Sequence, residues 1–71
     1  MGIDAKEIGQ RIKGLRKERG ITQEQLAAML GVTVNYLSRI EPGIRRASLD
    51  LLVDIALLFD TTLDYLVLGR R

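Results

Sequence analysis

Between Thr33 and Arg46 the chain gathers one side-chain amide (Asn35), three hydroxyls (Thr33, Tyr36, Ser38) and three guanidinium groups (Arg39, Arg45, Arg46). An amide and a guanidinium can each make paired hydrogen bonds to the edge of a nucleic-acid base, and an apolar side chain such as Val34 suits a thymine methyl. Acid–base and nucleophilic chemistry have far less to work with. The chain contains no Cys and no His, which removes the commonest zinc ligands and the commonest nucleophile–base pairs. Asp50, Asp54, Asp60 and Asp64 have no partner ligands beyond themselves and read as solvated helix positions and turns. No catalytic residue, metal site or cofactor is expected, and the reading is of a binding protein, not an enzyme.

Helical periodicity dominates the elements that must position these groups. Ile8, Ile12 and Leu15 recur at i, i+4, i+7 and fall on one helical face. Lys6, Gln10, Lys13 and Lys17 keep the same rhythm on the opposite face, which fits either a solvated surface or one turned toward a polyanion. Arg16 lies at the margin of the apolar stripe, and Gly20 supplies a stop. Thr22 to Gln25 has the form of a capping box that opens a second helix, with Ile21 and Leu26 in hydrophobic-staple positions. Gly31 ends that helix, and Thr33 caps a third that cannot comfortably pass Pro42-Gly43. Ser48 and Thr62 cap a fourth and a fifth. The expectation is an all-α domain over residues 1–71, five short helices without a strand.

Charge is divided unevenly along the chain. Residues 1–47 carry nine Lys/Arg against five Asp/Glu, whereas residues 48–69 carry four Asp and no basic residue. A basic part beside an acidic part suggests a polyanion-binding face with other work done elsewhere. Apolar runs such as Ile55–Phe59 fall far short of the about 20 residues a membrane-spanning helix needs. The start of the chain places Asp4, Lys6 and Glu7 where a signal peptide needs an apolar stretch, and Lys6 occupies the Ser/Thr position of the myristoylation pattern that Gly2 would begin. A soluble, cytoplasmic protein without membrane contact is expected.

Two short helices joined by a three- or four-residue turn, over residues 23–42, have the spacing of a helix-turn-helix. Ala27 is small where the helices would cross, and Gly31 can adopt the left-handed turn conformation. Leu26, Leu30, Val32, Leu37 and Ile40 are left to face inward. Val34, Asn35, Tyr36, Ser38 and Arg39 are left to face outward.

These elements resemble the helix-turn-helix domain of the lambda-repressor/Cro-like, Xre-type family of transcriptional regulators. The resemblance covers roughly residues 8–68. It is carried by Ile8-x3-Ile12-x2-Leu15-Arg16, Gly20-Ile21-Thr22-Gln23-x2-Leu26-Ala27, Gly31-Val32-Thr33-x3-Leu37-Ser38-x-Ile40-Glu41-x-Gly43 and Ser48-Leu49-x3-Val53-x-Ile55-Ala56, in that order. It implies a sequence-specific regulator of double-stranded DNA, a repressor acting on a palindromic operator. By resemblance Val34, Asn35 and Arg39 read base edges, Tyr36 and Ser38 touch base or backbone, and Gln23 and Thr33 hold phosphates. Gln23 also braces the third helix, and Arg16 and Glu41 form an ion pair between the first helix and the end of the third. Pro42 departs from the pattern by removing a polar residue and a backbone N–H, a loss that Arg45 and Arg46 are placed to offset at phosphate. Asp60 stands where the family often has a helix-ending glycine, and a strained or differently built turn is expected there.

Apolar accounting in the acidic part points to a homodimer. Leu49, Leu52, Val53, Ile55, Ala56 and Phe59 suffice for one core-facing stripe of the fourth helix, so Leu51, Leu57 and Leu58 are surplus. Leu66, Val67 and Leu68 leave the last helix apolar almost all round. A small monomer rarely exposes a large apolar patch without using it, and Leu57, Leu63, Leu66 and Val67 are the expected interface. A toxin-binding antitoxin and a restriction–modification controller protein are the alternatives of the same size and fold.

Overall fold

The computed structural model describes residues 3–70; Met1, Gly2 and Arg71 lie outside the described residues. Five helices follow one another, α1 (Ala5–Glu18), α2 (Gln23–Leu30), α3 (Val34–Ile40), α4 (Leu49–Leu58) and α5 (Leu63–Leu68), and no strand occurs among the described residues. Each helix begins where a side chain can satisfy an otherwise orphaned backbone N–H. Asp4 accepts from Lys6, Thr22 from Gln25, Thr33 from Tyr36, Ser48 from Leu51 and Thr62 from Tyr65. The Thr22–Gln25 pair is reciprocal, because the Gln25 side chain accepts in turn from the Thr22 N–H at 2.8 Å.

Ile8 and Ile12 from α1, Leu26 and Ala27 from α2, and Leu37 and Ile40 from α3 meet Leu51, Leu52, Ile55, Ala56 and Phe59 from α4 and its end, together with Leu66 from α5. The helix-turn-helix pair packs face to face, α1 crosses both α3 and α5, and α4 packs on α2 and α5. Arg11 fastens the two chain ends. Its guanidinium donates to the carbonyls of Leu66 and Val67 at 3.1 Å each and to Glu7 at 3.2 Å, which places a cation at the negative C-terminal end of α5. No helix among the described residues is long and apolar enough to cross a membrane.

The inward arc of α4 differs from the expected one. Leu51, expected as surplus, is buried in the core, while Leu49 and Val53, expected inside, are exposed at 68% and 37%. Asp50 and Asp54 mark the outward face of the helix, but Leu51 and Val53 stand about equally far from it on either side, so contacts with α2 and α5 choose the arc of Leu51, Leu52, Ile55, Ala56 and Phe59. Leu66 also departs from expectation. It is fully buried within the monomer and cannot offer its side chain to a second copy. Of the other residues expected at an interface, Leu57 is 76% exposed and Leu63 and Val67 are half-buried.

Asp60 does take the left-handed conformation, at φ 53°. The turn is nevertheless built on the ordinary helix-ending pattern: the Thr61 N–H donates to the Ala56 carbonyl at 2.9 Å and the Asp60 N–H to Leu57 at 3.4 Å. Aspartate is among the few residues that visit this region, so the turn keeps its hydrogen bonds.

The crossing of α1 with the end of α3 depends on Gly9. A Cβ there would stand 2.2 Å from the Ile40 carbonyl oxygen and 2.3 Å from that of Glu41, whereas a Cβ at Gly14 would meet nothing within 4 Å. Gly9→Ala is expected to destabilise the fold by about 1–3 kcal/mol or more, as overpacking against backbone does. Gly14→Ala, on the exposed face of the same helix, is expected to stabilise it by roughly 0.8–1.0 kcal/mol from helix propensity alone. Urea unfolding of the two variants checks both signs.

Candidate nucleic-acid interface

α3 is held from beneath and free above. Leu37 and Ile40 anchor it in the core, at 0% and 1% exposure, while Val34, Asn35 and Arg39 point away from the protein and are exposed. The side chains of Asn35 and Arg39 make no hydrogen bond or ion pair to any described residue. They are four positions apart and so lie one above the other on a single face.

The remaining predicted residues surround this ridge. Thr33 caps α3 by accepting from the Tyr36 N–H at 3.1 Å, and its position leaves it at the exposed start of the helix. Ser38 is half-buried and donates its hydroxyl hydrogen to the Asn35 carbonyl at 2.8 Å. Tyr36 is half-buried as well; its phenolic oxygen accepts from the Ser48 N–H at 3.2 Å, tying α3 to the start of α4. Over the Tyr36 ring, at 5.1 Å from its centre, lies the guanidinium of Arg45, a cation–π contact that fixes where this exposed arginine sits. The loop carrying it folds back on the helix, since the N–H groups of Ile44 and Arg45 both donate to the Arg39 carbonyl at 3.0 Å. Arg46 is exposed and has no partner among the described residues.

Beneath the ridge sits one carboxylate. Glu41, 3% exposed, accepts from Arg16 Nε at 2.7 Å, from Arg16 Nη2 at 3.1 Å and from Gln23 Nε2 at 2.9 Å. Arg16 is itself buried and donates a further bond to the Ile21 carbonyl at 2.9 Å. The expected pair is therefore present and two-pronged, and Gln23 joins it as the expected brace. The hydrogen bond to Glu41 raises the Arg16 pKa above arginine's ordinary value against the opposing effect of burial. A cation held more tightly in the folded than in the unfolded chain stabilises the fold at every pH below its unfolded value. That contribution of Arg16 is lost as pH rises through the raised value, far above neutrality.

A concavity flanks the ridge on each side. Thr33, Asn35, Tyr36, Arg39, Ile44 and Arg45 line one; Lys6, Gln10, Lys13, Gln23, Ser38, Glu41 and Pro42 line the other. Ile44 is 71% exposed and escaped the sequence reading, although an isolated apolar residue after Pro42-Gly43 in an otherwise basic loop was a visible signal. The arrangement offers hydrogen-bonding side chains on a ridge about as wide as the major groove of duplex DNA.

A helix-turn-helix family model matches residues 12–66. The chain belongs to this family, the lambda-repressor-like, Xre-type helix-turn-helix regulators that bind DNA. The HTH-type transcriptional regulator RP497 of Rickettsia prowazekii is 40% identical over 62 residues, which is 87% of this chain and 48% of that protein. The chain thus spans about half the length of such a relative. Among solved structures, the restriction–modification controller protein C.AhdI from Aeromonas hydrophila superposes with a TM-score of 0.80 at 33% identity, over 89% of this chain and 96% of that one. The P22 c2 repressor in complex with a synthetic operator gives a TM-score of 0.82 at 28% identity, again over 89% and 96%. The family is one of DNA-binding transcriptional regulators, not of enzymes.

Proposed function

We propose that this helix-turn-helix regulator is a sequence-specific repressor, a single domain over residues 1–71 that binds duplex DNA as a homodimer on a two-fold-symmetric operator. The observation that carries the reading is the pair Asn35 and Arg39, exposed and unpartnered on a helix whose other face is locked in the core. A long polar side chain left without a protein partner on an immobilised ridge is arranged for an outside one. In this reading Val34, Asn35 and Arg39 meet base edges, with Ile44 adding an apolar contact. Thr33, Arg45, Arg46 and Gln23 hold phosphates, Gln23 through the amide hydrogen not given to Glu41. Tyr36 places Arg45 through its ring and keeps its phenolic hydrogen free to donate to base or backbone, whereas Ser38 has given its hydrogen to the Asn35 carbonyl and can only accept.

A homodimer is supported by the exposed apolar row Leu49, Val53 and Leu57, spaced i, i+4, i+8 on α4, with Leu63 and Val67 half-buried on α5. Leu57 replaces Leu66 as its centre. Two-fold pairing would set two α3 helices about 34 Å apart, one turn of DNA. The restriction–modification controller is a second reading, favoured by the likeness to C.AhdI along nearly the full length of both chains; restriction and methyltransferase genes beside this one would select it.

Selection of bound duplexes from a random pool is expected to return a symmetric motif. Arg39→Ala should cost about 1–3 kcal/mol on the selected site and relax preference at one base pair per half-site; an unchanged motif contradicts base reading by Arg39. Leu57→Asp leaves the core intact, so sedimentation at micromolar concentration should turn a wild-type dimer into a folded monomer. A wild-type monomer indifferent to the change contradicts this interface.

A further inference from the structure

The sequence leaves the row Lys6, Gln10, Lys13 and Lys17 open to two readings, and the tertiary structure divides that row. Lys6 and Lys13 line the concavity beside α3 together with Gln10, Gln23, Ser38, Glu41 and Pro42; Lys17, one turn further along α1, does not. We infer that Lys6 and Lys13 form a phosphate clamp for one DNA strand, on the side of α3 opposite Arg45. The inference rests on the DNA-binding reading above and adds to it a second backbone contact from an element outside the helix-turn-helix.

Three observations support it. First, both ammonium groups are free. The ion pairs among the described residues are Arg11 with Glu7 and Arg16 with Glu41, and neither lysine is hydrogen-bonded through its side chain. Second, the one acid lining the concavity is neutralised, because Glu41 already accepts three bonds from Arg16 and Gln23. The donors left are the two ammonium groups, the Gln10 amide and the second amide hydrogen of Gln23. Ser38 has given its hydrogen to Asn35, and Pro42 has none to give.

Third, backbone packing fixes the position of Lys6. Gly43 lies so close that a Cβ on it would stand 2.5 Å from the Lys6 Cα, so the start of α1 is pressed against the turn that ends α3. Lys13 follows two turns later on the same face, about 10 Å along the axis. A strand of duplex DNA carries one phosphate per about 3.4 Å of axis, so two lysines at this separation reach different phosphates. A helix in the major groove has one strand on either side, and Arg45 attends to the other.

The test is the slope of log affinity against log salt, measured for the intact chain on its selected duplex and on one of unrelated sequence. Each phosphate contact contributes about −0.9 to that slope on duplex DNA. Lys6→Gln with Lys13→Gln is expected to make it less negative by about 1.8 on both duplexes, while leaving the selected motif and the thermal unfolding midpoint unchanged. Lys17→Gln is expected to leave the slope at the wild-type value. A double variant with the wild-type slope overturns the clamp, and so does a Lys17→Gln variant that flattens the slope as much as Lys13→Gln. Failure of the underlying reading looks different: the wild-type protein would then bind neither duplex.

Discussion

The buried carboxylate of Glu41 is the interaction on which the working surface depends. One side chain at the end of α3 receives two bonds from Arg16 on α1 and one from Gln23 at the start of α2, and so joins the three helices that frame the ridge. Burying such a pair gains little over an apolar replacement, but leaving either member alone is costly. The pair is therefore better understood as fixing an angle than as adding stability. Alternative packings of α3 against α1 would strand a charge. Gly9 serves the same geometry from the backbone side by letting α1 approach the Ile40 and Glu41 carbonyls.

From this constraint the distribution of polar groups follows. With Glu41 satisfied internally, the face around α3 keeps its positive charge although an acid lies at its base. The Ser38 hydrogen is spent on the Asn35 carbonyl and the Tyr36 oxygen accepts from the Ser48 N–H, which leaves Asn35, Arg39, Arg45, Arg46 and the Tyr36 phenolic hydrogen, with Lys6 and Lys13 beside them, as groups available to an outside ligand. The aspartates Asp50, Asp54 and Asp64 are carried on α4 and α5, away from the two concavities beside α3. Polyanion binding and protein contact can thus occupy separate surfaces of a very small molecule.

Much of this was legible in the sequence because it is local. Thr22, Thr33, Ser48 and Thr62 each cap the helix they precede, since a cap needs only a side-chain oxygen and the N–H three residues on. The Arg16–Glu41 pair was legible through the resemblance and through Arg16's place at the edge of an apolar stripe. What sequence could not convey in full was phase. Asp50 and Asp54 mark the outward face of α4, but only its neighbours decide that Leu51 goes in and Val53 stays out. Leu66 was misplaced for the same reason, as α5 is short and apolar almost throughout. Nor could periodicity separate Lys13 from Lys17 or reveal that the Tyr36 phenol is engaged, because both depend on residues distant in the chain.

The central claim, that Glu41 and Arg16 act as one unit locking the recognition helix, is tested most directly by a double-mutant cycle in urea unfolding. Arg16→Met and Glu41→Leu each leave a buried charge alone and are expected to cost about 3–5 kcal/mol. The double variant, with an apolar pair in place of the charged one, is expected to cost much less than the sum. Single variants costing under about 1 kcal/mol each, as an exposed pair would, and adding without coupling would contradict the account.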